Sequence, residues 1–365
     1  MNAPLPRPAI ALCDLLDAID PALPTRLVSE ESRAAMRRVA CCLPAVSTAG
    51  FEVVLGEGRG RADFAIRATP EELTVPDRAE ASAERRAWDR VATLVGDLNS
   101  PQQVEAHRYD RIHELWLEFD VGRRQPHRAA VPSVFLGLAR WQTDAHDFRQ
   151  GAPASATMGL QCLADGALPP TTRRTLDRCF RALQDGQHVL QVGAMLSRPD
   201  RGARVVVRGF EPATALAYLQ RIGWPGEPSS VASHLHALME RSDDVALSID
   251  IAAGVGPRLG LETSPLRGEG QGPDARSLAL LEHFVATGTC PADEAAALRA
   301  FCGRTDESAP TWPGRFRGLG RFGLPQPSLE RRINHFKLVL HGRRPPLVKA
   351  YFGFHLHWAH RAPTV

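Results

Sequence analysis

The segment RINHFKLVLHGRRPPLVKAYFGFHLHW, residues 332–358, contains both lysines of the chain, Lys337 and Lys349, and one of its three tyrosines, Tyr351; every other one of the 44 basic residues is arginine. An ammonium is a compact point charge on a flexible stem and a guanidinium is a planar fork, so lysines kept among arginines mark positions where that difference counts. In VKAY, Lys349 and Tyr351 stand two residues apart and share one face of a strand. Solvated strand lysines, or edge-protecting charges on a terminal hairpin, are the plainer alternatives. HLHW adds His355 and His357 at a spacing that can chelate zinc, but no third ligand is evident, and the pattern equally suits a chain end with interfacial histidines.

The elements that must position these residues follow from periodicity. Five segments pair two short β-rich runs across a Gly-, Pro- or Arg-rich turn, the pattern of a β-hairpin: 51–68, 113–139, 188–210, 245–263 and 332–358. Helical patterns lie between them, usually two at a time, such as EPATALAYLQRIG and SSVASHLHALMER. Pro212 and Pro291 at the first helical position, with Gly223 and Gly303 just past the end, delimit two of these helices. Before the third hairpin only residues 171–185 form a convincing helix. Tyr109 and Tyr218 fall in helical patterns, Tyr109 in PQQVEAHRYDRI. Helix pair then hairpin recurs about every 50 to 90 residues.

The strand faces bear on whether this makes an open sheet or a closed barrel. One phase is apolar (Val53, Phe64, Leu117, Val205, Leu261, Phe336, Phe352) and suits packing under helices. The opposite phase reads Asp63, Arg67, Trp116, Glu118, Phe135, Arg204, Arg208, Asp250, Arg258, Glu262, His335, Lys337, Lys349 and Tyr351. Charges interleaved with Trp and Phe are an odd surface for bulk water and suit the wall of a wide, ligand-holding barrel. The expectation is an α+β protein: a ten-stranded antiparallel β-barrel of five helix-pair and β-hairpin repeats with helices outside. It forms one domain over 10–358, with flexible termini 1–9 and 359–365. An open sheet covered on both faces, with Trp116 and Phe135 as ordinary core, is the other arrangement.

This architecture resembles the ABBA or PT-barrel family of aromatic prenyltransferases, over residues 10–358 and by architecture rather than by motif. The resemblance implies transfer of a prenyl group from a soluble allylic diphosphate to an aromatic or peptide acceptor in secondary metabolism. It implies Arg67, Arg204, Arg258, Lys337, Lys349 and Tyr351 as the diphosphate's partners and Trp116 and Phe135 as lumen wall. Preorganised cations stabilise charge developing on the leaving group, and aromatic faces shelter an allyl cation. Asp63 or Glu118 is the candidate catalytic base for the ring proton. No cofactor is required, and Mg²⁺ assistance is left open. Two features depart from the family pattern. Only Tyr351 is placed to line the lumen, and RLGLE sets Glu262 beside Arg258 and Gly260, a carboxylate inside a phosphate cage. A diverged PT-barrel enzyme with other chemistry, or a non-catalytic ligand- or peptide-binding barrel, is therefore the alternative.

Composition narrows the remaining classes. The net charge of +3 comes from interspersed arginines and acids with no basic run, which argues against a nucleic-acid partner. No apolar stretch approaches the ~18 residues that span a bilayer, and the N-terminus lacks a secretory pattern, so a soluble cytoplasmic protein without a membrane partner is expected. Seven cysteines without a CxxC pair read as buried thiols. SDDVALS lacks the third carboxylate of a DDxxD motif, which excludes the all-helical magnesium-cluster prenyl synthases.

Overall fold

The computed structural model describes residues 10–58, 60–73, 83–100, 102, 109–121, 131–138, 145–164, 166–198, 202–263, 274–319 and 324–359. Five hairpins form at the expected places: β1 (Thr48–Val54) with β2 (Ala62–Ala68), β3 (Ile112–Phe119) with β4 (Ser133–Leu138), β5 (His188–Ala194) with β6 (Ala203–Arg208), and β7 (Val245–Ile251) with β8 (Val255–Thr263). After a three-residue strand, β9 (Gly303–Thr305), come the long β10 (Gln326–His341) and β11 (Leu347–Ala359). Each of β1 to β7 pairs antiparallel with the next, β8 pairs with β10, β10 with β11, and β11 returns to β1. Ten strands therefore close a ring with no free edge. β9 pairs with Leu329–Arg331, the stretch of β10 that lies beyond its pairing with β8.

Nine α-helices among the described residues occupy the intervals between hairpins: α1 (Leu12–Ile19), α2 (Glu30–Ala40), α3 (Ala83–Leu98), α4 (Ala145–Ala164), α5 (Pro170–Arg181), α6 (Pro212–Ile222), α7 (Pro228–Met239), α8 (Ala275–Ala286) and α9 (Ala292–Phe301). Outward-facing aromatics join them to the barrel. Phe301 of α9 meets Phe352 edge-on at 5.0 Å, Phe284 of α8 meets Phe336 at 5.4 Å, and Trp88 of α3 stacks on Phe119 at 6.2 Å. All of these except Trp88 are at most 1 % exposed, so the apolar strand phase is the buried one and the core lies between barrel and helices. Truncating one such Phe costs about 3–5 kcal/mol. Pro212 opens α6, and Gly223 closes it in the left-handed region (φ 74°) that favours glycine. No helix among the described residues is long and apolar enough to cross a membrane.

The structure corrects several sequence expectations. The twenty-residue α4 was not legible, because GAPASATMG is rich in small residues, carries Pro153 inside the helix and shows little amphipathic contrast. Those small residues serve close packing: a Cβ on Gly159 would come within 2.4 Å of Leu136 on β4. The following helix ends at Arg181, not at residue 185. Pro291 is the N-cap of α9 and not its first residue, whereas Gly303 does stand just past the helix end, after the Cys302 cap, and also begins β9. Tyr109 sits in a bend before β3 and not in a helix; of PQQVEAHRYDRI, residues 101 and 103–108 lie outside the described residues. The cysteines are all free, but only Cys179 and Cys290 are buried and Cys41 is exposed. Ala359 still belongs to β11, and residues 1–9 and 360–365 lie outside the described residues.

Candidate active site

The inward phase of the strands brings charges together that are far apart in sequence. Glu52 of β1 stands in register with Tyr351 of β11 on one side and Asp63 of β2 on the other. Its carboxylate accepts a hydrogen bond from the Lys349 ammonium and, at 2.5 Å, one from the Tyr351 hydroxyl. On the neighbouring strands, Lys337 donates to Glu262 at 2.7 Å and to Ser248 at 2.8 Å. Arg204 donates to Asp250 at 2.7 Å, with its guanidinium 5.9 Å from the Phe135 ring centre. Arg67 donates to Glu114 at 2.5 Å, and Glu114 also accepts from the Trp116 indole at 3.1 Å. His335 stacks on Tyr351, rings 4.1 Å apart and 12° from parallel. A register shift between Ile333 and His335 puts His335 opposite Tyr351.

Glycines on adjacent strands make room for these side chains. A Cβ on Gly260 would lie 2.3 Å from Cε of Lys337, one on Gly193 2.5 Å from the Phe135 ring, and one on Gly137 2.3 Å from Cγ of Glu114. The Gly260 of RLGLE is therefore the floor on which Lys337 lies. Lys337 and Lys349 are each 4 % exposed and Arg204 6 %.

Burial raises the proton affinity of these carboxylates, and each cation reverses that effect for its own partner. Burial would push Glu52 up, but the charge and hydrogen bond of Lys349, then Tyr351, hold it well below the usual carboxylate range. Burial also opposes ionisation of Glu262, yet Lys337 above all holds it down to about 2. Asp250 is lowered by Arg204 against burial. Glu118 behaves differently: it accepts no hydrogen bond among the described residues. Burial and then the Glu52 charge raise it to about 7, although Arg204, Lys337 and Lys349 pull the other way. Burial lowers His335 to about 4, so the imidazole is neutral at pH 7.

Sequence comparison finds no matching family model and no matching curated protein. Solved structures do match. A 6-dimethylallyl tryptophan synthase superposes with a TM-score of 0.52 at 13 % identity, over 94 % of this chain and 96 % of that chain. The apo form of the prenyltransferase PriB superposes at 0.51 and 14 % identity, over 93 % of this chain and 94 % of that one. The fold is the PT barrel.

Within this PT barrel, the residues anticipated from sequence occupy one inward face but do not form one open cage. Asp63, Glu118, Arg204, Arg258, Lys337, Lys349 and Tyr351 lie toward the hairpin-turn end, whereas Arg67 is bound to Glu114 farther along β2 and β3. Trp116 and Phe135 are in register across β3 and β4. Arg208 forms an ion pair with Asp244 at 2.6 Å. The question raised by the two lysines has a structural answer: each holds a carboxylate of the barrel itself. Sequence reasoning missed Glu52 and Glu114, although both fall in the polar phase of FEVVL and HELWLEF. The zinc-spaced pair is engaged otherwise, with His355 2.7 Å from the Thr48 hydroxyl and His357 2.8 Å from Glu330. No group of three or more His, Cys, Asp or Glu side chains among the described residues is arranged to hold a metal.

Proposed function

We propose that this barrel transfers a prenyl group from a soluble allylic diphosphate to an electron-rich aromatic ring in its lumen. The observation that carries the reading is Glu118, a carboxylate without a hydrogen-bond partner among the described residues and with proton affinity near neutrality, facing Arg204, Lys337 and Lys349. The bond between the allylic carbon and the diphosphate oxygen breaks with its electron pair on oxygen, and the three cations stabilise that charge where it develops. The acceptor ring attacks the allyl cation, which the His335–Tyr351 stack and Phe135 shelter. Glu118 takes the proton that the alkylated ring loses, while Glu52, saturated by Lys349 and Tyr351, stays ionised and fixes both. Asp63, beside Glu52 in register, is the second carboxylate candidate.

The names of the two superposed structures point the same way and make the dimethylallyl group and an indole the first substrates to test. The ion pairs at Lys337 and Lys349 favour a second reading, a diverged barrel whose ligand is not a diphosphate, because an incoming anion must displace carboxylates already in place. Calorimetric titration with dimethylallyl diphosphate, with and without Mg²⁺, separates the two. Binding, with pyrophosphate release on adding tryptophan or another indole, is expected. Glu118→Gln should keep binding and lose about 10²- to 10⁴-fold in turnover. Absence of binding to any allylic diphosphate refutes prenyl transfer and leaves the second reading.

A further inference from the structure

Hairpins in a closed antiparallel ring direct all their turns to one end of the barrel and the helical connections to the other. At the turn end, the β10–β11 turn carries Arg343 and Arg344 and the β1–β2 turn carries Arg61. These two turns are neighbours because β11 pairs with β1, and the Leu55 amide donates to the Val348 carbonyl at 2.9 Å. All three arginines are exposed, and none makes an ion pair among the described residues. Some exposed arginines elsewhere do, Arg26 lying 2.5 Å from Asp293 and Arg37 2.6 Å from Asp17, while Arg173 and Arg174 on α5 do not. Elsewhere on the turn side, beyond the end of β5, Arg198 is held by Asp120 at 2.6 Å. One step inward, Arg258 of β8 is in register with His341, and its charge acts on both Asp250 and Lys349. Lys337 and Lys349 follow, deeper on β10 and β11. Along this stretch of rim Glu57 and Glu294, whose carboxylate accepts from the Gly56 amide at 2.8 Å, lie on the Arg61 side, whereas the β10–β11 turn itself carries Arg343 and Arg344 and no acid, in a chain whose total net charge is only +3.

The lumen cannot supply long-range attraction. Each deep cation carries its own carboxylate, and such pairs cancel beyond a few ångström, while salt screens what remains over ~8 Å. The uncompensated charge is on the rim. We propose that the arginine rim at the β10–β11 and β1–β2 turns is the anion portal of the barrel, where Arg343, Arg344 and Arg61 capture the diphosphate head of the donor and Arg258 leads it to Lys349 and Lys337. The portal rests on the prenyl-transfer reading above. It adds a place and an order of events: charge is met first at the turns, and the internal carboxylates are displaced afterwards.

Stopped-flow fluorescence with dimethylallyl diphosphate, from about 20 to about 300 mM NaCl, tests it. Arg343→Ser/Arg344→Ser should lower the association rate constant about tenfold at low salt and flatten its salt dependence, leaving the dissociation rate unchanged. Arg173→Ser/Arg174→Ser, which removes the same charge from the exposed face of α5, should behave as wild type. Circular dichroism confirms that both variants fold. Association rates in the rim variant equal to wild type, or an equal loss in the α5 variant, overturn the portal while prenyl transfer stands. A wild type that binds no allylic diphosphate removes both.

Discussion

Glu118→Gln offers a test that needs no substrate. In the unfolded chain Glu118 titrates near its ordinary value of 4.5, and in the barrel burial and Glu52 raise it to about 7. A carboxyl raised on folding holds its proton more tightly in the native state, so stability is greatest below 4.5 and falls as pH rises toward 7. At about 1.4 kcal/mol per pH unit, the interval amounts to about 3 kcal/mol of destabilisation above pH 8 and only about 1 kcal/mol at pH 5. Glutamine keeps the shape and removes the charge. Glu118→Gln should thus be more stable than wild type by about 2–3 kcal/mol at pH 8, with the gain shrinking to about 1 kcal/mol or less at pH 5. Urea denaturation at the two pH values measures both numbers. A gain that does not change with pH, or a loss at pH 8, would show that Glu118 is already satisfied when ionised, and its assignment as proton acceptor would fall with it.

Lys337→Met should cost about 3–5 kcal/mol at pH 7 by leaving Glu262 buried without a partner, and adding Glu262→Gln should recover most of that loss. The same pair sets an acid limb: Glu262 is held at about 2, so its contribution is present above 4.5 and lost as pH falls through about 2, a limb that Lys337→Met should flatten in acid denaturation. Gly260→Ala places a methyl 2.3 Å from Cε of Lys337 and 3.1 Å from Cβ of Ser248 and should destabilise by about 1–3 kcal/mol, whereas alanine at the open Gly254 should not; guanidinium unfolding of the two variants separates them.

Much of the barrel was legible because strand faces alternate. Phe51, Phe64, Phe336 and Phe352 share one phase that suits burial beneath helices, five turns located five hairpins, and the return of β11 to β1 turned the charged phase inward. Helix α4 escaped because its contact with β4 depends on small residues, whose packing value appears only once Leu136 lies against Gly159. The inward charges were legible as types and not as partners. Composition and period assign Lys349, Glu262 and Arg204 to the charged phase, but they carry no information on which strand closes on which. Glu52 and Lys349 lie 297 positions apart and meet only because β11 returns to β1 in one register, and a slip by one residue would turn either side chain to the outer face. The sequence alone placed both lysines on the charged strand phase and left open whether that phase is enclosed or solvated. Ring closure decided that each would enclose a carboxylate with it, since a buried charge must find its counter-charge on whichever strand the register brings alongside.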